Sequence, residues 1–83
     1  MNDDEIKEAL MLLAFERGPE KTFCPSEVAR SLAPADWRPL MPAIRRCAGS
    51  LPLRATQRGN PVDPVTAKGP IRLSIDPLHP PRR

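Results

Sequence analysis

Residues 23–46 read FCPSEVARSLAPADWRPLMPAIRR, and this stretch decides the predicted fold. Pro25 suits the first position of a helix, and the spacing of the apolar side chains predicts a helix over Pro25–Leu32. A turn, PADW at residues 34–37, separates it from a second helical segment, which carries Arg38 at its start and Arg45 and Arg46 within the helix. Two short helices joined by a tight turn are the layout of a helix-turn-helix, whose second helix contacts nucleic acid.

The second helix, predicted over Leu40–Leu51, has one apolar face and one cationic face. On a helical wheel of about 100° per residue, its apolar side chains fall on the same side as Trp37. Arg45 flanks this stripe and Arg46 lies opposite it, so replacing both with alanine is predicted to weaken nucleic-acid binding with little change in folding. Trp37 is interpreted as a core plug at the turn, with a stacking platform for bases as the alternative.

A first helix is predicted over Asn2–Arg17. Asn2 and Glu5 have the spacing of a capping box, and Gly18 followed by Pro19 ends the helix. Its interior is apolar nearly all round, and one small domain can hardly cover every side of it. The side chains that fall away from its core-facing stripe are Met11, Leu12 and Phe15. We therefore expect a homodimer formed through this helix.

After Pro52 the apolar period changes from helical to alternating, which predicts strands over Leu53–Gln57 and Pro70–Ile75. The loop between them is rich in turn-forming residues and too long for a tight turn, so the pair forms a hairpin with a long tip. A hairpin of this kind after a helix-turn-helix is a wing. Residues 21–23 are either one more edge strand or coil.

These elements predict a winged helix-turn-helix, mainly α with a small β hairpin, as a single domain over residues 1–75. Residues 76–83, DPLHPPRR, have no periodicity and three prolines, so we expect a disordered tail there.

The charge of the chain is unevenly distributed. Residues 1–27 hold seven acids and three bases, whereas residues 28–83 hold ten bases and three acids. An anionic partner is therefore drawn to the side that carries the second helix of the helix-turn-helix and the wing. A solvated basic surface without a partner is the alternative.

The sequence lacks the features that several classes of protein require. No apolar run reaches the roughly 20 residues of a membrane span, and the N-terminus is acidic where a secretion signal is basic, so we expect a cytoplasmic protein. Cys24 and Cys47 are expected to be reduced, packed thiols, with a reactive Cys24 as the alternative. His79, the only histidine, lies in the proline-rich tail. The sequence therefore predicts no enzyme, no metal site and no cofactor.

The motifs CPSEVARSLAPADWRPLMPAIRR and TQRGNPVDPVTAKGPIRLSI are similar to those of a family of small bacterial proteins known as a domain of unknown function. The resemblance covers about Glu5 to Ile75 and implies a winged-helix-like fold, but no activity and no functional residues. Pro52 stands where family members have a longer third helix, which implies a shortened helix here.

Two functions are compatible with this fold. The first is nucleic-acid binding, which we expect to be binding of double-stranded DNA by a transcription regulator, through the second helix of the helix-turn-helix and the wing. The residues predicted to make these contacts are Arg38, Arg45, Arg46, Arg54, Arg58, Lys68 and Arg72. The second is a protein interaction module without nucleic-acid activity. The apolar first helix favours it, as does the absence of Asn or Gln on the exposed face of the arginine-bearing helix to read adenine.

Overall fold

The computed structural model describes residues 2–76. The chain forms three α-helices and a three-stranded antiparallel sheet. The elements are α1 (Asp3–Arg17), α2 (Pro25–Leu32), a single 3-10 turn (Arg38–Leu40), α3 (Met41–Ala48), β1 (Leu53–Gln57), β2 (Asn60–Pro61) and β3 (Arg72–Ile75). Except for Asp76, the residues of the predicted tail lie outside the described part of the chain.

The predicted start and end of α1 are confirmed. The Asn2 side chain accepts a hydrogen bond from the Glu5 amide at 2.9 Å, and the Glu5 carboxylate accepts one from the Asn2 amide at 3.2 Å. These reciprocal bonds occupy two backbone donors that the first turn of a helix leaves free. Gly18 then adopts a φ of 79°, which favours glycine and ends the helix.

Glu27 connects the start of α2 to the end of α1. Its carboxylate accepts a hydrogen bond from the Cys24 amide at 3.0 Å and one from the Arg17 guanidinium at 2.6 Å. The bond from the Cys24 amide, and then that from Arg17, hold the pKa of Glu27 below its usual value, against the opposing effect of burial. The carboxylate is therefore charged at neutral pH and holds the two helices together.

The predicted bounds of α3 are wrong, because the helix is shorter than Leu40–Leu51 at both ends. Pro39 and Pro42 have no amide hydrogen to donate, so the chain enters α3 through a 3-10 turn, in which the Leu40 amide donates to the Trp37 carbonyl. After Ala48 the chain continues with short-range turns and reaches Pro52. The eight residues of α3 leave little length for a groove-reading helix.

The sheet has the order β2-β1-β3, so β1 is its central strand. The hairpin of β1 with β3 is confirmed, with Leu53 opposite Ile75 and Thr56 opposite Arg72. The connection from β1 to β3 is long, as expected, and it also contains a tight turn, because the chain reverses at once after β1 and adds the two-residue strand β2. The observed strand β3 is shorter than the predicted strand Pro70–Ile75, since β3 begins at Arg72.

The early reversal depends on Arg58 and Gly59, which both have positive φ, at 54° and 83°. Positive φ at both central residues is the geometry of the two-residue turn that matches the twist of a hairpin. Gly59 adopts it freely, whereas Arg58 has a Cβ that disfavours it. The turn was therefore not predicted from the sequence, because arginine is an uncommon residue at its first central position.

Phe23 extends the sheet on its other side. Its amide and carbonyl both hydrogen-bond to Leu73 of β3 at 2.7 Å, as an antiparallel bridge. The bridge involves Phe23 alone, so the edge-strand interpretation of residues 21–23 holds for one residue. The Phe23 side chain is fully buried in the core between helices and sheet. The other large, fully buried side chains of this core include Ile6, Leu10, Ile44, Ile71 and Leu73.

Candidate nucleic-acid interface

Three of the predicted nucleic-acid contacts line one open groove of about 780 Å³, which we call the loop groove. It lies between the β1–β2 turn and residues 68–72. Its cationic lining residues are Arg58, Lys68 and Arg72. Gln57 donates hydrogen bonds to the carbonyls of Lys68 at 2.5 Å and Pro70 at 3.1 Å. These bonds hold the two sides of the loop groove together.

The three cations of the loop groove are not equally available. Arg58 and Lys68 are exposed, and neither side chain makes a hydrogen bond or ion pair within residues 2–76. The Arg72 guanidinium donates to the Thr22 hydroxyl at 2.9 Å and to the Thr22 carbonyl at 3.1 Å, so it ties β3 to the segment before α2. Arg58 and Lys68 are the two groove cations that are free to contact an anion.

Arg45 holds the long loop against α3. Its two terminal nitrogens donate to the carbonyls of Ala67 at 2.7 Å and Gly69 at 2.6 Å, while its Nε atom is buried and has no hydrogen-bond partner among residues 2–76. The planar guanidinium suits two acceptors at once. The sequence pattern placed Arg45 on the surface beside the core stripe, whereas the tertiary structure gives it this bracing role. Replacing it is therefore expected to affect folding as well as binding.

Arg46 lies on the exposed side of α3. Its guanidinium contacts the Asp3 carboxylate of α1 at 3.0 Å, and the two side chains are 58% and 52% exposed. An ion pair this exposed contributes only about 0–1 kcal/mol. Arg46 therefore remains available to an anion that competes with Asp3.

A second groove, which we call the α3 groove, has a volume of about 710 Å³ and a largely apolar lining. Trp37, Met41, Val65 and Ile71 contribute to it, and Arg45 and Arg46 also line it. Residues 69–71 line both this groove and the loop groove, so they form the ridge between the two.

The loop closes over α3 at a glycine. A Cβ added to Gly49 would stand 2.8 Å from the Val65 side chain, which is too close for ordinary packing. Glycine at this position therefore lets residues 62–70 approach the end of α3, where Arg45 binds them. The α3 helix and the loop present one continuous surface.

Trp37 is partly buried against the core and holds two cations. The guanidinium carbons of Arg30 and Arg38 each lie 4.6 Å from the centroid of its ring. The position of Trp37 combines the predicted core packing with exposure at the surface. Sequence reasoning missed Arg30, because it belongs to α2 and no local spacing connects it to Trp37.

Arg54 lies on the face of β1 that points away from the core. The residue stands opposite Ser74 of β3, and its exposed side chain makes no hydrogen bond or ion pair with another described residue. It lines neither of the two grooves. Arg54 adds positive charge to the outer face of the sheet.

The two cysteines are unpaired thiols with different surroundings. Cys24 is partly buried and accepts a hydrogen bond from the Ser26 hydroxyl at 3.1 Å. Burial, followed by the charge of Asp3, raises the pKa of Cys47, so its thiol is protonated at neutral pH. Over residues 2–76 no three His, Cys, Asp or Glu side chains are grouped to hold a metal ion. In the same range no helix has the length and apolar character needed to cross a bilayer.

A family model described as Protein of unknown function (DUF3253) matches residues 3–76. The match covers most of the 83-residue chain. The chain therefore belongs to this family, and the resemblance to a domain of unknown function is confirmed. No curated protein matches the chain. The family description names no activity, so membership assigns no substrate, partner or reaction.

Proposed function

We propose that this member of the DUF3253 family is a winged-helix module that binds double-stranded nucleic acid through backbone phosphates. The order of its elements supports this assignment: α1, the Phe23 bridge, α2, α3, β1, a long loop and β3. In this reading α2 and α3 are the helix-turn-helix, and β1, β3 and the loop between them are the wing.

The observation that carries the proposal is the position of the loop groove relative to α3. Arg45 fixes the loop to α3, so the free cations Arg58 and Lys68 belong to the same surface as Arg46. The acids of the chain are concentrated in residues 1–27, mostly on α1. A surface with concentrated cations and few acids attracts a polyanion and orients it.

The exposed residues of α3 are better suited to contact phosphates than to recognise bases. The exposed positions of α3 and its end are Pro42, Arg46, Gly49 and Ser50. None of them is an Asn or Gln, the residues that pair with adenine in the major groove. Contacts to phosphates position a protein on the duplex without selecting a sequence. We therefore expect weak sequence preference and strong dependence on salt.

The test compares single substitutions in the loop groove. Lys68→Gln is expected to weaken binding of a duplex of mixed sequence and to reduce the slope of log K against log salt by about one unit. Arg58→Asn is expected to have the same effect on binding without loss of stability, because asparagine tolerates positive φ better than arginine. Fluorescence anisotropy of a labelled duplex at several salt concentrations measures both quantities, and thermal unfolding checks the fold.

Two controls separate local contacts from net charge. Lys7→Gln removes the same charge from α1 and is expected to leave the salt slope unchanged, whereas Arg58→Lys retains the charge at the turn and is expected to retain binding. If the wild-type chain shows no salt-dependent binding to duplex DNA or RNA, the proposed function is wrong. It is also wrong if Lys68→Gln and Lys7→Gln have equal effects.

The second candidate function is protein interaction, including self-association. Leu12 and Phe15, three residues apart on α1, are 63% and 66% exposed, so two large apolar side chains of one helix face solvent. We propose a homodimer through this face as its simplest form, since two copies of α1 bury the same side chains against each other.

The homodimer predicts a concentration-dependent mass. Sedimentation equilibrium is expected to show a dimer that Leu12→Lys converts to a monomer without a change in helix content. Val65, also exposed but on the loop, provides the control Val65→Lys, which is expected to leave the dimer intact. A wild-type chain that stays monomeric at high concentration would rule the homodimer out.

A further inference from the structure

Arg30, Trp37 and Arg38 form a cluster at the turn between α2 and α3. Both guanidinium groups lie 4.6 Å from the Trp37 centroid, so they cannot be farther apart than twice that distance. Both arginine side chains are exposed, and neither guanidinium makes a hydrogen bond or ion pair within residues 2–76. One indole ring thus holds two cations, and neither of them pairs with a carboxylate of residues 2–76.

Packing against the indole prepares these cations for an anion. A cation over an aromatic face is attracted by the negative charge of the ring face. The contact also restricts the side chain before binding, which lowers the entropy lost when an anion binds. The contact uses the ring, and leaves the nitrogen donors of both guanidinium groups free to bind oxygen atoms.

We propose that Arg30, Trp37 and Arg38, here called the tryptophan cluster, form a second phosphate-binding site for the same nucleic-acid molecule that the loop groove binds. This inference rests on the proposed function. Arg30 and Arg38 bind the phosphate oxygens, and Trp37 positions the two guanidinium groups. Arg30 is then a nucleic-acid contact that was not predicted from the sequence and does not line the loop groove.

The continuity of the surface supports a shared ligand. Trp37 lines the α3 groove, and residues 69–71 line both that groove and the loop groove. The tryptophan cluster and the loop cations Arg58 and Lys68 therefore lie on either side of one apolar groove. The longest dimension of the molecule is 34 Å. A duplex carries about one charge per 1.7 Å of its axis, so a single duplex offers phosphates to both sites at once.

Substitution of Asp36 provides a test in which the expected result is tighter binding, which a loss of structure would not produce. It is exposed, next to Trp37 in the chain, and pairs with neither arginine. Its negative charge opposes a phosphate at the cluster. Asp36→Asn is therefore expected to strengthen binding of the duplex, whereas a merely structural cluster predicts no gain.

The experiment measures duplex affinity by anisotropy for the full-length chain. Arg30→Gln is expected to lower the affinity about eightfold at about 0.1 M salt, since log K changes by about 0.9 per phosphate contact for each tenfold change in salt. Arg30→Lys retains the charge and is expected to recover part of the loss. Lys7→Gln, which removes the same charge from α1, is the matched control.

Trp37 also reports directly on the cluster. It is the only tryptophan, and the chain has no tyrosine, so the intrinsic fluorescence of the protein comes essentially from this site. Addition of the duplex is expected to change this emission in the wild-type chain, and Arg30→Gln is expected to shift the midpoint of the change to higher concentration together with the affinity.

The outcomes separate the two proposals. Suppose that the wild-type chain binds the duplex, that Arg30→Gln and Lys7→Gln have equal affinity, and that Asp36→Asn binds no more tightly than the wild type. This result overturns the tryptophan cluster as a phosphate site and leaves the proposed function standing. A wild-type chain that binds neither duplex DNA nor duplex RNA overturns both. Trp37 emission that responds to an acidic peptide but not to the duplex assigns the cluster to a protein partner and also overturns the inference.

Discussion

Replacement of Phe23 with alanine is expected to lower the free energy of unfolding by about 3–5 kcal/mol, the usual cost of removing a buried phenylalanine. The Phe23 side chain is completely buried, and its backbone hydrogen-bonds to Leu73 in both directions. The substitution leaves a cavity where the segment before α2 meets β3. Domains of this size have stabilities of only about 5–15 kcal/mol, so the loss is a large part of the total. Urea unfolding followed by circular dichroism measures it.

Phe15 supplies a control with the same chemical change. Its side chain is 66% exposed on α1, so Phe15→Ala is expected to change the free energy of unfolding by no more than about 0.5 kcal/mol. Both variants are compared at low protein concentration, because self-association through α1 would add stability that depends on concentration. Equal losses for Phe23→Ala and Phe15→Ala would contradict the position of Phe23 in the core.

Replacement of Arg45 with alanine is expected to lower the free energy of unfolding by about 2–4 kcal/mol, since a hydrogen bond to a charged group contributes about 1.5–3 kcal/mol. The substitution removes the donors for the Ala67 and Gly69 carbonyls and frees the loop from α3. Hydrogen exchange in residues 62–70 is expected to become faster. Nucleic-acid binding should weaken as well, because Lys68 then loses its position relative to α3.

Two substitutions test whether the geometry of Arg45 matters as well as its charge. Arg45→Lys is expected to recover only part of the stability, since a lysine ammonium lacks the planar fork that binds two carbonyls. Arg46→Ala, at the exposed pair with Asp3, is expected to cost at most about 1 kcal/mol. If Arg45→Ala is as stable as Arg46→Ala, the loop does not depend on Arg45.

These expectations revise the interpretation of α3 that the sequence suggested. The wheel placed Arg45 beside the core stripe and Arg46 opposite it, and on that basis both were surface contacts. Arg46 is exposed as expected, but Arg45 is partly buried and binds the loop. Mutation of both arginines together would therefore mix a folding effect with a binding effect, and the single variants are the informative ones.

The bounds of α1 and α2 were determined by the sequence itself, because their signals are local. Asn2 and Glu5 exchange hydrogen bonds across three residues, Gly18 ends α1, and Pro25 begins α2. The register of β1 against β3 follows for a similar reason, since alternation places Ala55 and Leu73 on the same buried face. Each of these features depends on the side chains and backbone groups of one element or one strand pair.

The roles of the arginines and the path of the long loop depend on contacts between segments that are distant in the sequence. Arg45 meets carbonyls 22 and 24 residues away, and Arg30 joins Arg38 at Trp37 from a different helix. The turn at Arg58 has a φ that arginine disfavours in isolation, and pairing of β2 with β1 accompanies it. An arginine side chain can bind carbonyls, carboxylates or aromatic rings, and its position in the sequence does not show which of these it will bind. The packing of distant segments makes that selection, because it determines which partner lies within reach.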